Sequence, residues 1–206
     1  MTQIKLTKME LRHQQYKLKQ LEKYLPTLQL KKAMLQTEVN QAMSEIEMQQ
    51  KEQKERLERS EAFQALLTDR EADAIFLASE VLEVQKRYEN IAGAEIPLFE
   101  KVHFQPHQYG LFETPLWLDS ATDQVKLLVE SREKIEVLKE KKRVLEKELR
   151  DVSIRVNLFE KILIPRAKQN IKKIKVFLGD QELASVAQAK VAKAKIEKRK
   201  RLEEVL

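Results

Sequence analysis

Few residues in this chain have the types and spacing from which chemistry could be built, and each set lacks a partner. The histidines are His13, His103 and His107. In an extended strand the i, i+4 spacing of His103 and His107 would place both rings on one face, as for a metal. Pro106 stands between them, however, and there is no clear third ligand, whereas a zinc site takes three or four. His13 falls on a stretch with a helical apolar repeat and offers no pocket for a Ser–His–acid arrangement. The chain has no cysteine, so it has no thiolate ligand, thiol nucleophile or disulfide framework. Gly93, Gly110 and Gly179 lie too far apart for a phosphate-cradling loop. The many Glu/Lys pairs read as solvated helix faces rather than acid–base dyads. The expectation is a protein with no catalytic, cofactor-binding or metal residues.

One stretch keeps a sharper reading. The run Lys190 to Arg201, KVAKAKIEKRKR, could meet phosphate backbone or an anionic surface. It carries no interleaved aromatics for base stacking and no reading module, so a solvated or partner-buried helical end is the stronger expectation, without nucleic acid.

The elements that hold these residues follow from a scarcity of turn formers. Only 3 Gly and 5 Pro occur in 206 residues, too few for a sandwich, a barrel or a Rossmann-type domain. Five of the eight fall between Gly93 and Pro115; Pro26, Pro165 and Gly179 are the others. Two long arms therefore flank one irregular centre. Charged residues make up 35% and aromatics 6%, which suits a thin seam between helices better than a thick core. No apolar run approaches the length of a membrane span, and Met1–Glu10 does not resemble a signal peptide. A cytoplasmic protein without direct membrane insertion is expected.

Both arms read as heptads. Leu11, Leu18, Leu25, Lys32, Val39 and Ile46 take position a of the first, with Gln14, Leu21, Leu28, Leu35, Ala42 and Gln49 at d. In the second, Leu128, Ile135, Lys142, Leu149, Val156 and Leu163 stand at a, with Ser131, Leu138, Leu145, Val152 and Phe159 at d. Pro26 and Pro165 are expected to kink the arms without ending them, and Ile171, Ile174 and Leu178 resume the apolar spacing up to a fray point at Gly179. As helices over 4–60 and 122–178 the arms would each extend roughly 85 Å at ~1.5 Å per residue. The polar seam residues Gln14, Lys32, Gln49 and Lys142 either weaken the seam for a partner or snorkel out of it, and snorkelling is the simpler reading.

In the centre, Thr68 to Glu71 matches a capping box, predicting a helix over 69–91 that ends at Gly93. Residues 96–118 read as a short β-hairpin or ordered loop turning at Pro106–Gly110, and Asp119–Asp123 as the cap of the second arm. Phe104, Tyr109, Phe112 and Trp117 gather here as a small core, a docking centre, or both. The fold class is all-α: a long antiparallel two-helix coiled coil formed by N- and C-terminal arms, with a central segment of short helices and a hairpin. The segments are 1–60, 61–121, 122–178 and a basic helical tail, 179–206.

Three motifs carry a resemblance over nearly the whole chain. They are the start Leu6-Thr-Lys-Met-Glu-Leu11 with Leu30-Lys-Lys-Ala-Met-Leu35, the central Ile91-Ala-Gly93 with Ile96-Pro97, and Arg155-Val-Asn157, Glu160 and Ile164-Pro165-Arg166 near the other end. Together they resemble the D subunit of the V-type and A-type rotary ATPases. The resemblance implies a non-catalytic central-stalk subunit, peripheral to the membrane. Its terminal helices would enter a hexameric head of A and B subunits. Its middle would meet the small F subunit of the stalk and a funnel-shaped subunit joining the stalk to the membrane ring. Rotation would couple ATP hydrolysis or synthesis to H⁺ or Na⁺ movement. Arg166, Lys172, Lys173 and Lys175 would then face the head. The principal rival is a free-standing coiled-coil adaptor or nucleic-acid-associated scaffold.

Overall fold

A computed structural model describes residues 4–64, 72–106, 115 and 117–203. In chain order these form α1 (Lys8–Gln64), α2 (Ala72–Ala78), β1 (Val81–Ile91), β2 (Ala94–Phe104), α3 (Trp117–Leu158), a π-helical turn (Phe159–Leu163) and α4 (Ile164–Glu203). The chain divides into two compact units, one of residues 1–29 with 154–206 and the other of residues 30–153.

The long helices exist because their apolar residues recur every three or four positions and little interrupts them. Every expected a and d position of both arms, through Leu163, is buried or half-buried. Leu35, Ala42 and Leu145 are fully enclosed. Two polar seam residues satisfy themselves along their own helix: Gln14 Nε2 donates to Glu10 Oε1 at 2.8 Å, and Gln49 Nε2 to Glu52 Oε2 at 3.1 Å. Lys142 reaches Glu146 at 3.5 Å, which is the snorkelling arrangement.

In the unit of residues 30–153, Lys141 Nζ donates to Glu45 Oε2 at 3.0 Å and Arg56 to Ser131 Oγ at 3.0 Å, so α1 and α3 run antiparallel. In the other unit, Lys168 meets Glu22 at 3.2 Å and Lys8 meets Glu182 at 3.8 Å, the same antiparallel sense for α1 and α4.

The arm boundaries differ from the expected ones. α1 includes Pro26 without a break, as expected, but runs past residue 60 to Gln64. α3 begins at Trp117 and not at 122, with Leu118 N–H bonding the Pro115 carbonyl at 3.0 Å. Asp119 therefore lies in the first helical turn, where a carboxylate still suits the positive helix end, and the stretch Asp119–Asp123 is helix rather than cap. Gly179 is no fray point, because α4 runs through it.

The centre needs the larger correction. No helix covers 69–91: α2 ends at Ala78, where Ser79 Oγ donates to the Ile75 carbonyl at 2.6 Å, and β1 follows from Val81. The hairpin of the described residues is β1 with β2, turning at Ala92–Gly93, ahead of the expected span 96–118. Two consecutive residues at positive φ, Ala92 at 51° and Gly93 at 83°, close the Ile91–Ala94 pair, the backbone of a two-residue hairpin loop whose twist matches the strands. Asn90 Oδ1 accepts from Gly93 N–H at 2.9 Å and holds that loop. Leu82 and Glu100 are the unpaired residues at two register shifts. The capping box at Thr68–Glu71 and the stretch Pro106–Gly110 beyond Pro106 lie outside the described residues.

Candidate functional site

Among the described residues, nothing packs over the end of α4. Lys8–Glu182 is the ion pair nearest the chain ends between α1 and α4, and residues 180–199 are all exposed. Among them stand Leu183, Val186, Val191 and Ile196, each more than half exposed, with Lys190, Lys193, Lys195, Lys198 and Arg199. A helix that is polar nearly all round and lacks a partner is stabilised little by its own propensity.

Arg166, Lys172, Lys173 and Lys175 lie nearer the seam, all exposed and none in an ion pair among the described residues. At 3.6 residues per turn they do not form one patch. Arg166 and Lys173 share one side of the buried stripe made by Ile164, Ala167, Ile171, Ile174 and Leu178, while Lys172 and Lys175 take the other. Positive charge therefore borders the stripe on both flanks.

Arg155, Asn157, Glu160 and Pro165 surround or form the π-helical turn, and all four are exposed. In that turn Ile164 N–H bonds the carbonyl of Phe159, five residues back. Pro165, next in line, has no N–H to give. Beside the turn a cleft of about 490 Å³ opens between α1 and α4, lined by cationic Lys5, Lys17 and Arg166 together with Glu10, Gln14 and Asn170.

The central aromatics separate into different roles. Trp117 packs against a core of Ile75, Leu118 and Ala121, which joins α2 to the start of α3. Phe104 is half-buried with the Lys126 ammonium 5.8 Å from its ring centroid. Tyr109 and Phe112 lie outside the described residues. Sequence reasoning missed four exposed apolar residues here: Phe76 and Leu77 on α2, and Leu82 and Tyr88 on β1. The alternation in Val81-Leu-Glu-Val84-Gln-Lys-Arg-Tyr88 was the available signal for a strand, and a helical reading concealed which of its side chains would face out.

The hairpin is tied down by Lys86, whose Nζ donates to Glu140 Oε2 at 2.6 Å. That hydrogen bond raises the Lys86 pKa above the ordinary lysine value, partial desolvation opposing it and the Glu140 charge assisting. On α3, the hydrogen bond from Lys139 lowers the pKa of exposed Glu136. His103 lies 3.3 Å from Gln85 across the hairpin, and His13 is exposed on α1. His107 is outside the described residues. Among the described residues no group of three or more His, Asp or Glu could hold a metal ion, and no helix is long and apolar enough to cross a membrane.

Paired antiparallel helices with a docked hairpin and an exposed basic end define a helical scaffold. The chain belongs to the D-subunit family of ATP synthases, whose sequence profile matches residues 10–194. It is similar to the D subunit of the V-type ATP synthase of Chlamydia pneumoniae, 45% identical over 199 residues that cover 96% of this chain and 95% of that protein. The corresponding V-type ATP synthase D subunit of Chlamydia caviae is 44% identical over 97% of this chain and 96% of its own length. That of Chlamydia trachomatis serovar A is 44% identical over 97% and 98%.

Proposed function

We propose that this chain is the non-catalytic central-stalk rotor of a V-type rotary ATPase, coupling ATP hydrolysis or synthesis in a catalytic head to H⁺ or Na⁺ movement through a membrane ring. The observation that carries the reading is α4 outrunning its partner: past Glu182 the helix keeps apolar and cationic residues exposed together. Such a surface suits insertion into a sleeve of A and B subunits in the head. Continuous helix on both arms suits torque, since backbone hydrogen bonds along a helix leave few soft points. The hairpin, with Leu82 and Tyr88 exposed, offers the surface for the small F subunit of the stalk and for the funnel-shaped subunit. The complex would then hold this chain at the cytoplasmic side of the membrane.

Arg166, Lys172, Lys173 and Lys175 are proposed to guide insertion and to make contacts that change with the state of the head, because charge at an interface governs encounter and register more than raw affinity. Neutralising Lys172, Lys173 and Lys175 to Gln together in the assembled complex tests this. Assembly is expected to slow, and ATP hydrolysis is expected to drive less ion transport per turnover. Unchanged assembly, activity and coupling would refute the role of the charges. Recovery of the chain bound to nucleic acid instead of a hexameric ATPase would favour the adaptor.

A further inference from the structure

Two burial registers meet at the π-helical turn, and they do not match. From Leu145 through Leu149, Val152 and Val156 the seam positions alternate by four and three. Continued unchanged, that spacing would turn Arg166, Asn170, Lys173 and Phe177 inward. Instead Ile164, Ala167 and Ile174 are buried, Ile171 and Leu178 are half-buried, and of those four Arg166, Lys173 and Phe177 are exposed and only Asn170 is half-buried. The stripe has moved by one residue. A π-turn accommodates one extra residue within an α-helix, and the bond from Ile164 N–H to the Phe159 carbonyl spans five residues at that place.

We propose that residues 159–163 are a register joint: the chain carries one residue more than a continuous seam needs, the turn stores it, and α4 opens and shifts there against the N-terminal part of α1. Pro165 alone does not account for the geometry. A proline removes one hydrogen bond and crowds the carbonyl four residues back, but it does not displace the buried stripe over the next three turns. The cleft lined by Gln14, Lys17, Leu163 and Arg166 lies where the two registers meet, so packing is looser beside the turn.

A deletion exposes the mismatch. Without Glu160, which is exposed, Leu149, Val156, Ile164, Ile171 and Leu178 would fall every seven residues at a. Leu145, Val152, Phe159, Ala167 and Ile174 would do the same at d. The outward residues of α4 keep their facing, because the stripe they flank is the one already buried. The inference stands whether or not the chain turns inside a head.

The test compares three full-length chains: native, Pro165→Ala, and Pro165→Ala with Glu160 deleted. In the native chain and in Pro165→Ala, amides of residues 159–164 should exchange about tenfold faster than those of 145–156. In the deleted chain that difference should vanish, and Tm should rise by about 2–4 °C over Pro165→Ala. Slow exchange in Pro165→Ala alone would overturn the proposal, since the proline would then make the soft point. A deleted chain that melts below Pro165→Ala, or fails to fold, would overturn it too, because the extra residue would then belong to the best packing.

Discussion

Lys141 is a seam-side lysine with its side chain only 7% exposed, and among the described residues its ion pair is with Glu45, 30% exposed. Removing the carboxylate strands a buried ammonium, whereas removing the ammonium leaves a carboxylate that water can still reach. Glu45→Ala is therefore expected to cost about 2 kcal/mol, reduced from the fully buried case by solvent at Glu45, and Lys141→Met less than about 1 kcal/mol. Chemical denaturation of the two variants checks the asymmetry, and equal losses would contradict it. Lys86 gives a pH prediction. Its pKa is raised in the fold, so its contribution is complete below the ordinary lysine pKa and disappears as pH rises through the raised value. Above about pH 10 the native chain should lose stability that Lys86→Met, lacking the titrating group, does not lose. Tm measured across that range for both chains decides it.

At the scale of elements, the hairpin depends on its turn more than on its strands. Gly93 adopts φ of 83°, where a β-carbon is strained, and an added one would sit 3.3 Å from Lys31 Nζ, the movable end of a long side chain. The cost of Gly93→Ala is therefore backbone strain of about 1–2 kcal/mol rather than a clash. Faster amide exchange through β1 and β2 with α1 unaffected is the expected signature; loss spread evenly over the chain would contradict it. The arms were legible from sequence because a seven-residue apolar repeat has one common solution, and Leu21, Leu35, Val152 and Val156 are buried as that repeat requires. The hairpin was legible as an element and misplaced in position. Ala74, Ile75, Ala78, Val81 and Leu82 satisfy helical spacing as well as Val81 and Val84 satisfy a strand, and Gly93 serves equally as a helix stop or a hairpin corner. Only pairing with Ala94–Phe104, a contact between segments, separates the two. The candidate contacts were legible as charge and not as geometry. Four cations close in sequence proved to border a stripe on both sides, which depends on where the buried face falls after the π-turn.

For the whole molecule, the net charge of +6 is unevenly placed: residues 1–60 sum to +4, 61–160 to −6 and 161–206 to +8. One compact unit gathers both termini, residues 1–29 and 154–206, so the basic ends belong to the same body. Long-range attraction from such a body weakens as salt shortens the Debye length, about 8 Å at physiological ionic strength. Added salt acting on the native chain should therefore reproduce the slowed assembly expected of the Lys172, Lys173 and Lys175 neutralisation, and the triple variant should respond less to salt.

The two-stranded sheet has a further consequence. Among the described residues, β1 and β2 each have only the other as a strand neighbour, so each leaves one side of its backbone open to a foreign strand. Pro97 withholds a donor from β2, the bulges at Leu82 and Glu100 interrupt a regular ladder, and charged Glu83, Arg87, Glu89 and Lys101 crowd the rest. A newly made chain can therefore wait for its assembly partners without its hairpins stacking into fibrils.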